Sequence, residues 1–207
     1  VARYRKTGSS SELDAAIAAA EGAAAAGYVR VEVLVQLAGA LQIRWRRSGE
    51  ATNLAAAVDL RIQAMAAGPL PSQIPHLCTC LASVLRDRFE RYGDMTDLRT
   101  ALTAARTAVR AAQADSRGRC LANLSGVHRT RFERTRRPKD LLRAVRSARE
   151  AVAVTAADDP EFPRRLSTLT LALLRDFGYH RDRRRVDCSG MCHVRRLCCR
   201  GRNCGSQ

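Results

Sequence analysis

An all-α fold, built as an α-solenoid of antiparallel helix pairs, is predicted by three features of the sequence. The first is a recurring set of offsets. An aromatic residue is followed by Gly four positions on, Leu nine on, and Ala and an aliphatic residue twelve and thirteen on. The set reads Phe89, Gly93, Leu98, Ala101, Leu102 in the middle of the chain, Trp45, Gly49, Leu54, Ala57, Val58 before it, and Tyr4, Gly8, Leu13, Ala16, Ile17 before that. A further copy has Phe132, Leu141, Ala144 and Val145 with Arg136 in place of the glycine, and Phe177 opens a fifth. The anchors are spaced by 41, 44, 43 and 45 residues, a period of about 43 that accommodates two helices and two turns. The second feature is a set of leucines, Leu37, Leu81, Leu124 and Leu169, each eight residues before its anchor. The third is composition: 46% of residues are hydrophobic but only 4% aromatic, and much of the apolar share is Ala, which favours helices packed closely over a sheet core.

Each element follows from local chemistry. Residues 1–8 read as the last turn of a helix. Ser11 offers a side-chain cap, with Glu12 and Asp14 in a first turn where the helix dipole favours acids, so a helix is expected over 11–26. The next, over 28–47, places Leu34, Leu37, Leu41 and Trp45 on one face, and Gly49 ends it. Thr52 is the expected cap of the third helix, whose apolar face is Leu54, Ala57, Val58, Ile62 and Met65 and which stops near Gly68. After a connection marked by Pro71 and Pro75, a central pair is expected over 75–92 and 96–113, with Thr96 as cap and Asp97 behind it. Another pair follows over 117–135 and 138–155, with Pro138 at a first helical position, where its missing N–H costs little. Asp158, Asp159 and Pro160 form a turn before a last helix, 161–178, carrying Leu166, Leu169, Leu173 and Phe177. Residues 179–207 read as a poorly ordered Cys/Arg-rich tail. The array over 1–178 begins and ends inside a repeat, as a fragment of a longer protein would.

A lone helix pair cannot cover its own apolar face, whereas stacked pairs bury it against their neighbours. The alanine twelve residues after each anchor is expected where two helices cross, because a small side chain admits close approach. Stacked pairs with small residues at crossings resemble tetratricopeptide repeats, whose usual unit is shorter, roughly 34 residues. The phrases RDRFERYGDMTDLRTAL and RTRFERTRRPKDLLRAV are similar to the long-period bacterial tetratricopeptide arrays that accompany CHAT-domain, caspase-like peptidases and related signalling proteins. The resemblance covers residues 1–178. It implies a tetratricopeptide-like superhelix acting as a protein-interaction scaffold beside an effector domain, and this chain carries no such effector.

The formal net charge is +16, and Lys6 and Lys139 are its only lysines. So strong an arginine skew can arise from a GC-rich coding sequence as readily as from selection for anionic partners. Arginine recurs one residue before and two after the anchor, as Arg44 and Arg47, Arg88 and Arg91, Arg131 and Arg134. Positions three apart share a helix face, so stacking would align these residues into a ladder, and guanidinium groups present a planar fork of donors to carboxylates. This ladder is the candidate partner-binding site, with a protein or an acidic peptide as ligand. The alternative is that the same arginines are solvated or paired with Asp87, Glu90, Glu133 and nearby acids, each pair contributing little. Nucleic acid is a second partner class, since basic surfaces attract polyanions, although no nucleic-acid motif accompanies the charge.

No cofactor or metal is expected. Cys188, Cys192, His193, Cys198, Cys199 and Cys204 are ligand types that zinc prefers, but their spacings match no standard finger and the segment lacks apolar residues to pack around a metal. Catalysis is not expected either. There is no phosphate loop, paired-carboxylate motif or dinucleotide fingerprint. Asp187, Cys188, Ser189 and Gly190 look superficially like a nucleophile turn, but no strand precedes them. His76 and Cys78, two apart on a helix, fall on different faces, and Cys78 shares with Leu34 and Leu166 a core offset eleven before the anchor. With no apolar run of about 18 residues and no signal-peptide core, a cytoplasmic protein without membrane association is expected. The sequence thus points to a protein- or peptide-binding scaffold, with a basic nucleic-acid-associated helical protein and a nonfunctional fragment of a CHAT-domain protein as the alternatives.

Overall fold

The computed structural model describes the backbone of residues 10–25 and 30–200 and the side chains of residues 11–23 and 30–181. The readings of residues 1–8, Tyr4 and Gly8 among them, lie outside the described residues, as do Cys204 and the side chains of Cys188, Cys192, His193, Cys198 and Cys199. Among the described residues the chain forms eight helices and no strand: α1 (Ser10–Ala25), α2 (Val31–Ser48), α3 (Ala51–Ala66), α4 (Ile74–Tyr92), α5 (Met95–Ala111), α6 (Ala114–Thr135), α7 (Pro138–Ala153) and α8 (Phe162–Arg200). None of the described helices is long and apolar enough to cross a membrane.

Three turns of the same construction join α2 to α3, α4 to α5 and α6 to α7. Each begins with a residue in the left-handed region, Gly49 at φ 73°, Gly93 at φ 77° and Arg136 at φ 55°. Its N–H donates to the carbonyl of the anchor aromatic, Trp45, Phe89 or Phe132, at 2.7 Å in every case. This is a helix stop that satisfies an orphan carbonyl, and it explains the glycine four residues after the anchor. Arg136 adopts the same geometry without glycine's freedom.

The helix starts differ from expectation. Asp94, not Thr96, caps α5, its carboxylate accepting the Thr96 N–H at 2.8 Å. In α3 the N-cap position belongs to Glu50, whose carboxylate accepts from Thr52 Oγ1 and Asn53 Nδ2, so Thr52 lies within the helix. Ser11 likewise lies inside α1, which begins at Ser10. At α5 the Asp94 carboxylate, placed just before the helix, reaches the free Thr96 N–H, whereas Glu50 makes no side-chain bond to a helix N–H and holds the side chains of the first turn instead. Pro138 occupies the first turn of α7 as expected.

Burial follows the repeat through α7. Leu54, Leu98 and Leu141 are buried, and Ala57, Ala101 and Ala144 are wholly so. One core cluster runs from Leu13 and Ile17 in α1 through Leu41, Val58, Leu85 and Leu102 to Val127 in α6. Ile62 departs from expectation at 52% exposed, while Arg61 is buried. At about 100° per residue, position 61 returns to the stripe started by Leu54, and position 62 is rotated past it.

The last helix departs most. It continues past residue 178 to Arg200, because no proline interrupts that stretch. Leu166, Leu173 and Phe177, expected in the core, are exposed, and Ala172 is buried instead. The anchor aromatics Phe89 and Phe132 have a following helix packed over them. Among the described residues none follows α8, and its outward face stays uncovered.

Each helix packs against its neighbours in sequence, and α4 also meets α6, as α6 meets α8. A polar clasp recurs between successive repeats, joining the residue just after one anchor to the residue two before the next. It is Arg46 with Asp87 at 2.6 Å, Glu90 with Thr130 at 3.2 Å, and Glu133 with Arg175 at 3.0 Å. The positions recur while the charges change sign, so geometry, not one preferred ion pair, is what repeats.

Candidate functional site

The six arginines of the expected ladder fall into two groups. Arg44, Arg88 and Arg131 each reach the residue eight after the anchor on the following helix. Arg44 donates to Asn53 Oδ1 at 2.7 and 2.9 Å, Arg88 donates twice to Asp97 at 2.5 and 2.8 Å, and Arg131 donates to Asp140. The acceptors are almost fully buried, so these contacts tie the two helices of one pair together. Arg47, Arg91 and Arg134 are exposed, and Arg91 lies 5.9 Å from the ring centroid of Tyr92.

None of the six lines the groove formed between the described helices. This is a groove of about 860 Å³ whose walls come from α2, α4, α6 and the start of α8, with Arg61 entering from α3. Its lining follows the repeat. Thirteen residues before the anchor stand His76, Arg119 and Arg164, and nine before stand Cys80, Asn123 and Thr168. Six before are Gly39, Ser83, Gly126 and Leu171, and three before are Gln42, Arg86 and Arg129. Steps of four, three and three make one helical stripe, presented in turn by each first helix of a pair.

Seven arginines, counting Arg46 and Arg165, face three carboxylates, Asp115, Asp159 and Glu161. Four of the seven are engaged: Arg46 with Asp87, Arg129 with Glu133, and Arg164 and Arg165 with Glu161. Arg86 has only a long contact of 3.5 Å to Glu90. Arg61 and Arg119 make no ion pair among the described residues.

Arg61 is the most demanding of these groups. It is 4% exposed. Its Nη2 donates to Gln42 Oε1 at 3.1 Å, while Nε and Nη1 have no hydrogen-bond partner. Gln42 in turn donates to Asp87 at 2.7 Å, which fixes the amide with its oxygen towards Arg61. A buried cation with unmet donors costs several kcal/mol unless an acceptor arrives. Along the groove Arg165 Nε makes no hydrogen bond and Asn123 Oδ1 lacks a donor, while Arg86 Nε has only its 3.5 Å ion-pair contact with Glu90. The Arg86 guanidinium lies directly against Gly126, where any Cβ would collide with Nη1. The equivalent positions are Gly39, Ser83 and Leu171, and a Cβ on Gly39 would meet nothing within 4 Å, so the close approach is particular to Gly126.

The groove also holds a thiol beside an imidazole. Cys80 Sγ is 3.7 Å from His76 Nε2 and 3.8 Å from Nδ1. His76 therefore pairs with the cysteine one turn on, while Cys78, on another face, is buried in the core. Among the described residues no three His, Cys, Asp or Glu side chains are placed to hold a metal ion. No protein-family model matches the sequence, and no curated protein matches it.

Proposed function

We propose that the chain is an α-solenoid of antiparallel helix pairs, a tetratricopeptide-like superhelix, whose groove binds an acidic, extended peptide segment of a protein partner. The observation that carries this reading is the row of buried guanidinium groups on Arg61, Arg86 and Arg165, whose Nε–H groups make no hydrogen bond and, for Arg86, only a 3.5 Å ion-pair contact with Glu90. Carboxylates of a bound peptide would supply acceptors through charge-assisted hydrogen bonds as the guanidinium groups turn into the groove, and a peptide N–H would meet Asn123 Oδ1 as its amide turns with them. The translational reading is supported by the clasps between successive repeats and by groove residues that recur at the same four offsets. Such a groove suits a docking arm beside a signalling or peptidase effector, the setting that the sequence resemblance implies.

The test is fluorescence anisotropy with a labelled Glu/Asp-rich peptide and a Gln/Asn-rich control. Arg119 and Arg164 are exposed, so the double variant Arg119→Glu with Arg164→Glu should fold and lose roughly tenfold or more in affinity, about 1.4 kcal/mol. Reversal of Arg47 and Arg91 should leave the affinity unchanged, and the opposite result would return binding to the ladder. Equal binding of both peptides would end the acidic-peptide reading. Duplex nucleic acid bound more tightly than the peptide, with a steep loss of affinity as salt rises, would favour the nucleic-acid reading.

A further inference from the structure

The groove thiol has the surroundings of a reactive group. Cys80 is half-buried on α4, with the exposed His76 imidazole one helical turn before it at 3.7 Å. Arg61 shares that wall of the groove, almost fully buried and with Nε and Nη1 unpartnered. A base for the thiol proton and a cation for a bound anion therefore flank one sulfur.

We infer that Cys80 is a site of thiol–disulfide exchange selective for anionic low-molecular-weight disulfides, with His76 accepting the thiol proton and Arg61 holding a carboxylate of the incoming molecule. In the exchange, the Cys80 proton passes to His76 and the thiolate attacks one sulfur of the disulfide. A mixed disulfide forms on Cys80 as the old S–S bond breaks. The departing thiolate takes the proton back from the imidazolium, so Cys80 is oxidised by the disulfide and the leaving half is reduced.

The protonation balance points the same way. Burial by itself raises the Cys80 thiol, but the hydrogen bond with His76, the charges of Arg61 and His76 and a hydrogen bond with Arg61 outweigh it and hold the thiol below its ordinary value. Cys78 has the opposite setting: burial and the neighbouring Cys120 raise it. Cys78 and Cys120 are both buried, which makes them internal controls. The preference for anions comes from the Arg61 guanidinium beside the sulfur, whose charge attracts a carboxylate and does nothing for a neutral group. A peptide carboxylate seated on Arg61 would compete with such a disulfide for the same guanidinium, so the exchange belongs to the unoccupied groove.

The experiment treats the full chain with dithiobis(nitrobenzoate), which carries carboxylates, and with the neutral dithiodipyridine. Mass spectrometry of peptides follows each cysteine separately across pH. Cys80 is expected to react with a midpoint below about 8.5, the free-thiol value, and its anionic-to-neutral rate ratio should exceed that of N-acetylcysteine several-fold. Because His76 is exposed, His76→Gln should fold normally and move the midpoint up towards the free-thiol value. A midpoint at or above that value in the unaltered chain, a rate ratio equal to that of N-acetylcysteine, or a midpoint unmoved in His76→Gln would overturn the proposal.

Discussion

Arg136 holds a conformation, φ 55°, that costs an L-residue about 1–2 kcal/mol, at a turn where the two equivalent positions are glycine. Replacing it with Gly removes that cost and adds some unfolded-state entropy. Arg136→Gly should therefore stabilise the chain by about 0.5–1 kcal/mol, visible as a melting temperature raised by a few degrees. A lower melting temperature would mean that the arginine side chain contributes more than the turn loses. Asp97 shows the opposite balance. It is buried beneath Arg88, so Arg88→Ala strands a carboxylate in the core. The expected loss is about 3–5 kcal/mol by urea unfolding, against well under 1 kcal/mol for Arg91→Ala on the surface.

His128, 3% exposed, supplies a pH dependence. Its pKa falls from 6.5 to about 4, chiefly because burial disfavours the charged ring. Arg131 and Arg106 push the same way, and Asp140, 3.4 Å from Nδ1, opposes them. As pH falls below about 6.5 the unfolded chain binds a proton that the folded chain refuses until about 4. This contribution to stability is full above 6.5 and lost between 6.5 and 4, up to about 3 kcal/mol at 1.36 kcal/mol per unit. Urea unfolding at pH 7 and pH 4.5 should show a smaller decline for His128→Gln than for the unaltered chain. Equal declines would contradict the assignment.

At the scale of the helix pair, the crossing alanines are the sensitive points. Ala101 is fully buried between α5 and its neighbours, and Ala101→Leu should destabilise by about 1–3 kcal/mol through overpacking. An unchanged thermal melt would show that the helices do not approach closely there. The helices were legible because apolar spacing and glycine stops both recur with the repeat. Their starts were less so, since Asp94 and Thr96 are both good caps and only the tightness of the turn decides between them. Arg61 was missed because an arginine in an apolar stripe reads as surface, and Ile62 beside it took its place. Asn53, Asp97 and Asp140 carried a visible signal, a polar residue immediately before each repeat leucine. That signal assigns Arg44, Arg88 and Arg131 to their helix partners.

For the whole molecule, the groove was also written in the sequence, at offsets thirteen, nine, six and three before the anchor. Those positions are not filled alike along the chain, with His, Arg and Arg at the first and Cys, Asn and Thr at the second. A search for recurring identities passes over them, whereas the ladder arginines are identical and attract notice. Positions that repeat in place and vary in chemistry are ones that the core does not constrain. The outward face of α8 could not be foreseen either, since Leu166, Leu173 and Phe177 have core spacing and are exposed only because no described helix follows to cover them.

The central claim is that buried groove arginines wait for carboxylates. Side-chain NMR of arginine Nε–H groups reads this directly during titration with a Glu/Asp-rich peptide. The Nε–H signals of Arg61, Arg86 and Arg165 should move downfield together as the peptide saturates, while that of Arg88, already bound to Asp97, stays in place. Stationary signals from all three groove arginines at saturation, or movement confined to Arg47 and Arg91, would contradict the account.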